Sequence, residues 1–171
     1  TAARKAVFSE KPIGGKPEQA VTAFEAATKA GVTTGVGYNY LWAPLVMHAR
    51  EMISTGVLGD ITHYRGRFLS MYGSDEMGLL TWRFLLDQGG YGATSDILSH
   101  SVSLAQYLVG DITEVVGMRN TTIPERPLPT GAASHYGRGK PEDPKGAAEN
   151  EDFASMLCTF ANGATGTFES S

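Results

Sequence analysis

Cysteine is almost missing from this chain: Cys158 is the only one in 171 residues. A lone thiol excludes an internal disulfide and gives no argument for an oxidising compartment, so the cytoplasm is the expected location. Long apolar runs are absent too. None approaches the ~20 residues that span a bilayer, so no membrane partner is expected. A basic excess is lacking: 14 Lys and Arg face 18 Asp and Glu, a net charge of −4. Such a chain repels phosphate backbones, and nucleic acid is not an expected partner. The first residues, Thr1-Ala2-Ala3-Arg4-Lys5, carry neither an initiator Met nor the apolar core of a signal peptide. The last, Phe168-Glu169-Ser170-Ser171, stop inside a strand-like pattern. Both ends read as cuts through a longer protein. What remains is globular in composition, 42% hydrophobic and 19% charged, enough for one core or parts of two domains.

The pattern changes along the chain. Ala6-Val7-Phe8 reads as a buried strand, and Gly14-Gly15 as a turn. Pro17 suits a first helical position with Glu18 in the first turn; Ala20, Val21, Phe24 and Ala27 form the apolar face, and Gly31 ends the helix. Val32 to Tyr38 is a second strand, and strand–helix–strand reads as the tail of a parallel α/β unit. Pro44 opens another helix with Leu45, Val46, Ala49, Met52 and Ile53 on one face and Gly56 at its stop. A long strand is expected over 61–71, irregular chain over 72–90, a helix over 96–109 and a strand over 113–122. Residues 123–150, rich in Pro, Gly and charge, read as a loop. Residues 152–160 and 164–169 flank Asn162-Gly163, the strongest short hairpin signal, with positive φ expected at both turn residues. The fold class is therefore α/β followed by α+β, with the boundary between residues 40 and 41.

Four segments occur in a telling order: Glu10-Lys11-Pro12 after a strand; Gly37-Tyr38-Asn39-Tyr40 at the end of the next; Gly89 to His100; and Phe160 to Ser171. Order and spacing together resemble the glucose–fructose oxidoreductase/inositol dehydrogenase (Gfo/Idh/MocA) family over essentially the whole chain. The resemblance implies the last strands of a Rossmann domain over 1–40. It implies an incomplete C-terminal α/β domain over 41–171, with an open, largely antiparallel sheet. It also implies NAD or NADP as cofactor, a small-molecule sugar or polyol substrate, and a homo-oligomer formed through the sheet face. No G-x-G-x-x-G is present; Gly90-x-Gly92-x-x-Ser95 approximates it without a preceding strand. The isolated chain is accordingly expected to be inactive and a poor binder of nicotinamide. Where many relatives carry an arginine, two residues past Asn39, this sequence has Leu41.

Oxidising a secondary alcohol requires a base for the hydroxyl proton and a donor or cation for the developing alkoxide. By resemblance, Lys11 lies between nicotinamide and the substrate hydroxyl, His100 accepts the proton, and Asp96 contacts the substrate or the imidazole. Asp96 and His100 are four apart, hence on one face of a helix, and a carboxylate there favours the imidazolium. Read without the family, Lys11 is a surface lysine, Asp96 a helix cap and His100 a packing residue. A metal pair lacks a third ligand, so no metal is expected. Glu10 and Asn39 are cofactor-side candidates or turn formers. Trp82 and Arg83 are a pocket wall and substrate donor, or simply packing. His63, Arg65 and Arg67 alternate on a solvated or subunit-facing sheet surface. His48 is assigned no role, closure of His135 over substrate from its Pro/Gly loop is not adopted, and Cys158 is a packed thiol. A non-catalytic sugar-binding scaffold, and an NAD-dependent lyase or glycosidase, stand beside the dehydrogenase reading.

Overall fold

The structure is a computed structural model and describes residues 3–71, 73–131, 134 and 136–171. Strand β1 (Val7–Ser9) leads into helix α1 (Pro17–Ala30), and β2 (Thr34–Val36) returns parallel to β1. Pro17 stands in the first helical turn, where its missing N–H costs nothing. Gly31 ends the helix with φ 63° and donates to the Ala27 and Thr28 carbonyls. The expectation of a buried first strand fails. Phe8 is 73% exposed, and Phe24 and Val21 on α1 are exposed with it. Among the described residues β2 is the only strand paired with it, so alternation alone did not decide burial.

A 3-10 turn (Asn39–Trp42) and helix α2 (Pro44–Ser54) follow. Leu45 stands off the apolar face of α2 and is exposed, while Val46, Ala49, Met52 and Ile53 are half-buried. Strand β3 (His63–Phe68) is shorter than the stretch expected. The stretch expected to be irregular holds a 3-10 turn (Trp82–Phe84) and a four-residue helix α3 (Leu86–Gly89). The helix expected from Asp96 begins earlier, with a π-helical turn (Thr94–Leu98) running straight into α4 (Ser99–Leu108).

Strand β4 (Ile112–Asn120) is followed by β5 (Glu125–Pro127), β6 (Lys145–Ala147), β7 (Phe153–Phe160) and β8 (Thr165–Ser170). The main sheet has the order β3-β8-β7-β4, parallel between β3 and β8 and antiparallel elsewhere. Its covered face packs on the helix: Leu98 and Ala105 meet Ala154, Cys158, Phe160, Ala164 and Phe168, with Tyr64 and Met156 alongside. Burial pushes the Cys158 thiol pKa up, which suits the inert core thiol expected. The opposite face is open, with His63, Arg65 and Arg67 exposed as read and Leu157 and Val116 beside them. The fold class expected from the sequence is therefore present: a parallel α/β unit running into an open, largely antiparallel sheet backed by a helix.

Two details depart from expectation. Residues 123–150 are not merely a loop, since β5 and β6 pair antiparallel there. Within that sheet Arg126 is fully buried, its guanidinium 3.9 Å from the Phe84 ring centroid and donating to the Gly73 and Asp75 carbonyls. The β7–β8 hairpin forms, but only Gly163 takes positive φ (86°). Gly163 N–H donates to the Phe160 carbonyl, making a three-residue loop in place of the two-residue Asn-Gly turn.

Candidate functional site

The carboxyl ends of parallel strands are where α/β sheets present ligand-facing groups. Directly after β1, the chain passes through Glu10 and a cis Lys11–Pro12 peptide. The Lys11 ammonium donates to the Asp96 backbone carbonyl at 2.6 Å and to Asp96 Oδ1 at 2.7 Å. Glu10 lies over Gly37 at the end of β2, where a Cβ would come within 3.0 Å of its carboxylate. A side chain at 37 would thus displace Glu10.

Asp96 sits on the π-helical turn, a feature that interrupts helices most often at functional sites. Its other oxygen, Oδ2, accepts from Arg83 Nε at 3.2 Å, so the carboxylate is bracketed by two cations. All three side chains are largely shielded from solvent, Lys11 at 13%, Arg83 at 26% and Asp96 at 30% exposed. Arg83 is the ion-pair partner of Asp96 rather than a free surface arginine, and its guanidinium carbon lies 4.3 Å from the Trp82 ring centroid.

His100 lies on α4, 8% exposed and ringed by Tyr40, Tyr38 and Phe68 at centroid distances of 4.7, 5.8 and 6.1 Å. Its Nδ1 is buried with no hydrogen-bond partner among the described residues. Burial lowers the imidazole pKa below its ordinary 6.5, and Lys11 lowers it further; Asp96 and Glu10 act the other way and do not prevail. The carboxylate acts in the direction read from spacing, but burial and the Lys11 charge outweigh it. Asp96 and His100 line different cavities. Asp96, Arg83, Trp82, Glu10 and Lys11 line a cavity of about 380 Å³. His100, Asn39, Trp42, Gly37, Glu10 and Lys11 line a second of about 520 Å³. Lys11 and Glu10 form the shared wall.

The residues before β7 escaped sequence reading. Asn150 Nδ2 donates to the Arg83 carbonyl at 2.7 Å. The buried Glu151 accepts from Ala93 N–H with its carbonyl and from Thr94 N–H with Oε1, capping the start of the π turn from across the fold. Arg119 pairs with Glu151 at 3.5 Å. Three polar residues leading into an apolar strand were the one available signal, and it resembles any loop. Gly90 and Gly92 have the same origin. A Cβ at 92 would overlap the Glu151 carbonyl oxygen, and one at 90 would lie 2.6 Å from the Gly15 carbonyl oxygen. These glycines allow close backbone approach. His135 lies outside the described residues. Among the described residues no group of three or more His, Cys, Asp or Glu is placed to hold a metal ion, and no helix is long and apolar enough to cross a membrane.

The second cavity fits the ring end of a nicotinamide cofactor. It combines apolar walls from Phe8, Val36 and Trp42 with the Asn39 amide, the Lys11 ammonium and the His100 imidazole, whose buried Nδ1 has no hydrogen-bond partner among the described residues.

This architecture, a parallel strand pair delivering a lysine to a helix-borne carboxylate and histidine beside an open sheet, has close counterparts. The model of the GFO/IDH/MocA C-terminal domain matches residues 46–171. Levoglucosan dehydrogenase of Pseudarthrobacter phenanthrenivorans is 36% identical over 169 residues, 98% of this chain and 43% of its own length. The 2,7-anhydro-N-acetylneuraminate hydratase of Escherichia coli is 28% identical over 166 residues, 97% of this chain and 39% of its own. A solved levoglucosan dehydrogenase in complex with NADH and L-sorbose matches with a TM-score of 0.91 at 34% identity, covering 99% of this chain and 43% of that one. The chain belongs to the GFO/IDH/MocA family. It spans less than half the length of these relatives.

Proposed function

We propose that these residues form the substrate-facing part of an NAD(P)-dependent oxidoreductase acting on a secondary alcohol of a sugar or polyol. The observation that carries the reading is the Lys11–Asp96 pair at 2.7 Å, set in the wall between the Asp96 cavity and the cavity of a buried, neutral-leaning His100. In this reading His100 takes the hydroxyl proton; a depressed pKa keeps it an acceptor near neutral pH. Lys11, fixed by Asp96, stabilises the developing alkoxide. Bound nicotinamide supplies the hydride acceptor. Glu10, Asn39 and Lys11 face its ring end, and Trp82 and Arg83 face the substrate.

The Rossmann strands of such an enzyme correspond to residues 1–40 and the substrate and assembly domain to 41–171, the rest of the dinucleotide site lying in chain beyond these residues. The relatives' greater length supports that division. NADH added to the isolated 171 residues is expected to bind weakly; tight binding would overturn the division. A cytoplasmic setting agrees with the single cysteine, and the open sheet face favours assembly of identical subunits.

A second reading has one supporting observation: a hydratase is similar over 97% of the chain. One experiment separates the two. Full-length protein is mixed with NAD or NADP and a panel of aldoses and polyols, and reduced-nicotinamide absorbance is followed, with His100→Ala as control. Turnover lost in the variant supports the dehydrogenase reading. Cofactor binding without net reduction of nicotinamide on any alcohol, together with addition or elimination of water, moves the assignment to the lyase-type reaction.

A further inference from the structure

The guanidinium of Arg83 is only partly used. Nε donates to Asp96, one face covers Trp82, and the backbone carbonyl is held by Asn150. Among the described residues the terminal nitrogens make no hydrogen bond, yet the side chain lines the 380 Å³ cavity next to Lys11. A guanidinium fixed at Nε and on its face is a pre-organised planar fork with open donors, matched to two adjacent oxygens.

Two kinds of oxygen pair fit such a fork: a carboxylate and a vicinal diol. The charges around the cavity choose between them. Lys11 and Arg83 face Asp96 and Glu10, while Glu151 is matched by Arg119 and Asp152 by Arg126. Of the charged residues that line the cavity itself four are acidic and two basic, so the wall offers no net attraction to an anion. A carboxylate on the Arg83 fork would also stand beside the Asp96 carboxylate, 3.2 Å from Nε, and be repelled by it. Neutral hydroxyls carry no such penalty. The geometry points to Arg83 as a specificity-determining residue that reads a vicinal diol of a neutral sugar and discriminates against the corresponding uronate. This deepens the sugar-oxidoreductase reading and rests on it for the identity of the reacting site, but the recognition itself is measurable as binding.

The test uses full-length protein, wild type, Arg83→Lys and Arg83→Gln, all first checked for a native thermal unfolding transition. D-Glucose, its monodeoxy derivatives and D-glucuronate are compared by calorimetric binding and, where turnover occurs, by kcat/KM. Removing either of one adjacent hydroxyl pair is expected to weaken wild-type binding by about 10- to 100-fold. That penalty should shrink to within a fewfold in both variants, with glucuronate weaker than glucose in wild type. Arg83→Lys keeps the charge without the fork, so retained diol discrimination in Arg83→Lys would overturn the fork reading. Equal deoxy penalties in wild type and Arg83→Gln, or tighter binding of glucuronate than glucose, would overturn the proposal itself. Absence of turnover with the binding pattern intact would remove the dehydrogenase reading and leave the diol site standing.

Discussion

Lys11 and Asp96, 85 residues apart in the chain, meet at 2.7 Å, and Arg83 closes the other oxygen of the same carboxylate at 3.2 Å. This triad ties the parallel strand unit to the helix over the main sheet. Replacing Asp96 by Asn keeps the shape but leaves two shielded cations facing a neutral amide. Charge-assisted hydrogen bonds of this kind contribute about 1.5–3 kcal/mol each. Asp96→Asn is expected to lower unfolding stability by about 2 kcal/mol in urea with an unchanged slope, and to lower kcat/KM of the proposed reaction because Lys11 is released. An unchanged urea midpoint would show that the three groups are not coupled.

The direction of the His100 shift has two consequences. Its folded pKa lies below 6.5, chiefly through burial. Between that lowered value and the ordinary ~6.5 of the unfolded chain, the unfolded state binds more protons. Stability from this group is therefore fully present above about pH 6.5 and lost as the pH falls through the folded value. His100→Phe, which keeps a ring among Tyr38, Tyr40 and Phe68, is expected to flatten the stability profile on the acid side. For the proposed reaction of the wild-type protein the acid limb of kcat/KM should fall below the ordinary imidazole range. A limb above 6.5 would mean that the titrating base sees the field of Asp96 more strongly than its own burial.

Much of this was legible in the sequence, for identifiable reasons. Pro17 and Gly31 bound α1 through backbone chemistry that acts locally, and alternation around Cys158 and Phe160 places them on the covered face. Burial of Phe8 was misjudged because burial depends on what covers a strand, and periodicity does not carry that information. The strands β5 and β6 are three residues each, one containing Pro127, too short for any period to register. At the site, Lys11, Asp96 and His100 were singled out by the family resemblance, and the structure brings the Lys11 and Asp96 side chains together at 2.7 Å. The Arg83–Asp96 bond and the aromatic ring around His100 join residues from separate elements, which no local pattern predicts.

Arg126 offers a test of the small sheet. Its guanidinium is wholly buried, stacks on Phe84, bonds to two carbonyls of the 73–75 segment and approaches Asp152 at 3.8 Å. Truncating one member of a buried charged arrangement typically costs about 3–5 kcal/mol. Arg126→Ala is expected to fall in that range by denaturant unfolding. Arg126→Lys should recover little, because an ammonium cannot reproduce the planar fork. Full recovery by lysine would show that charge alone matters here.

Glu151 connects the sheet to the site. Its Oε1 accepts from Thr94 N–H at 3.0 Å, its carbonyl accepts from Ala93 N–H at 2.9 Å, and Arg119 on β4 reaches its other oxygen at 3.5 Å. The helix carrying Asp96 and His100 thus starts on a carboxylate supplied by a distant segment, and anions are favoured at that end. Loss of such a cap costs about 0.5–2 kcal/mol. Glu151→Ala is expected to lower stability within that range and to speed amide hydrogen exchange at Thr94 relative to Ala105, which lies deeper in α4. Glu151→Gln retains an acceptor for Thr94 but loses the charge facing Arg119, so it should restore most of the exchange protection and less of the stability. Equal exchange at Thr94 in wild type and Glu151→Ala would mean that the π turn holds without its cap. In that case Lys11 and Arg83 would hold Asp96 in position without help from the Glu151 cap.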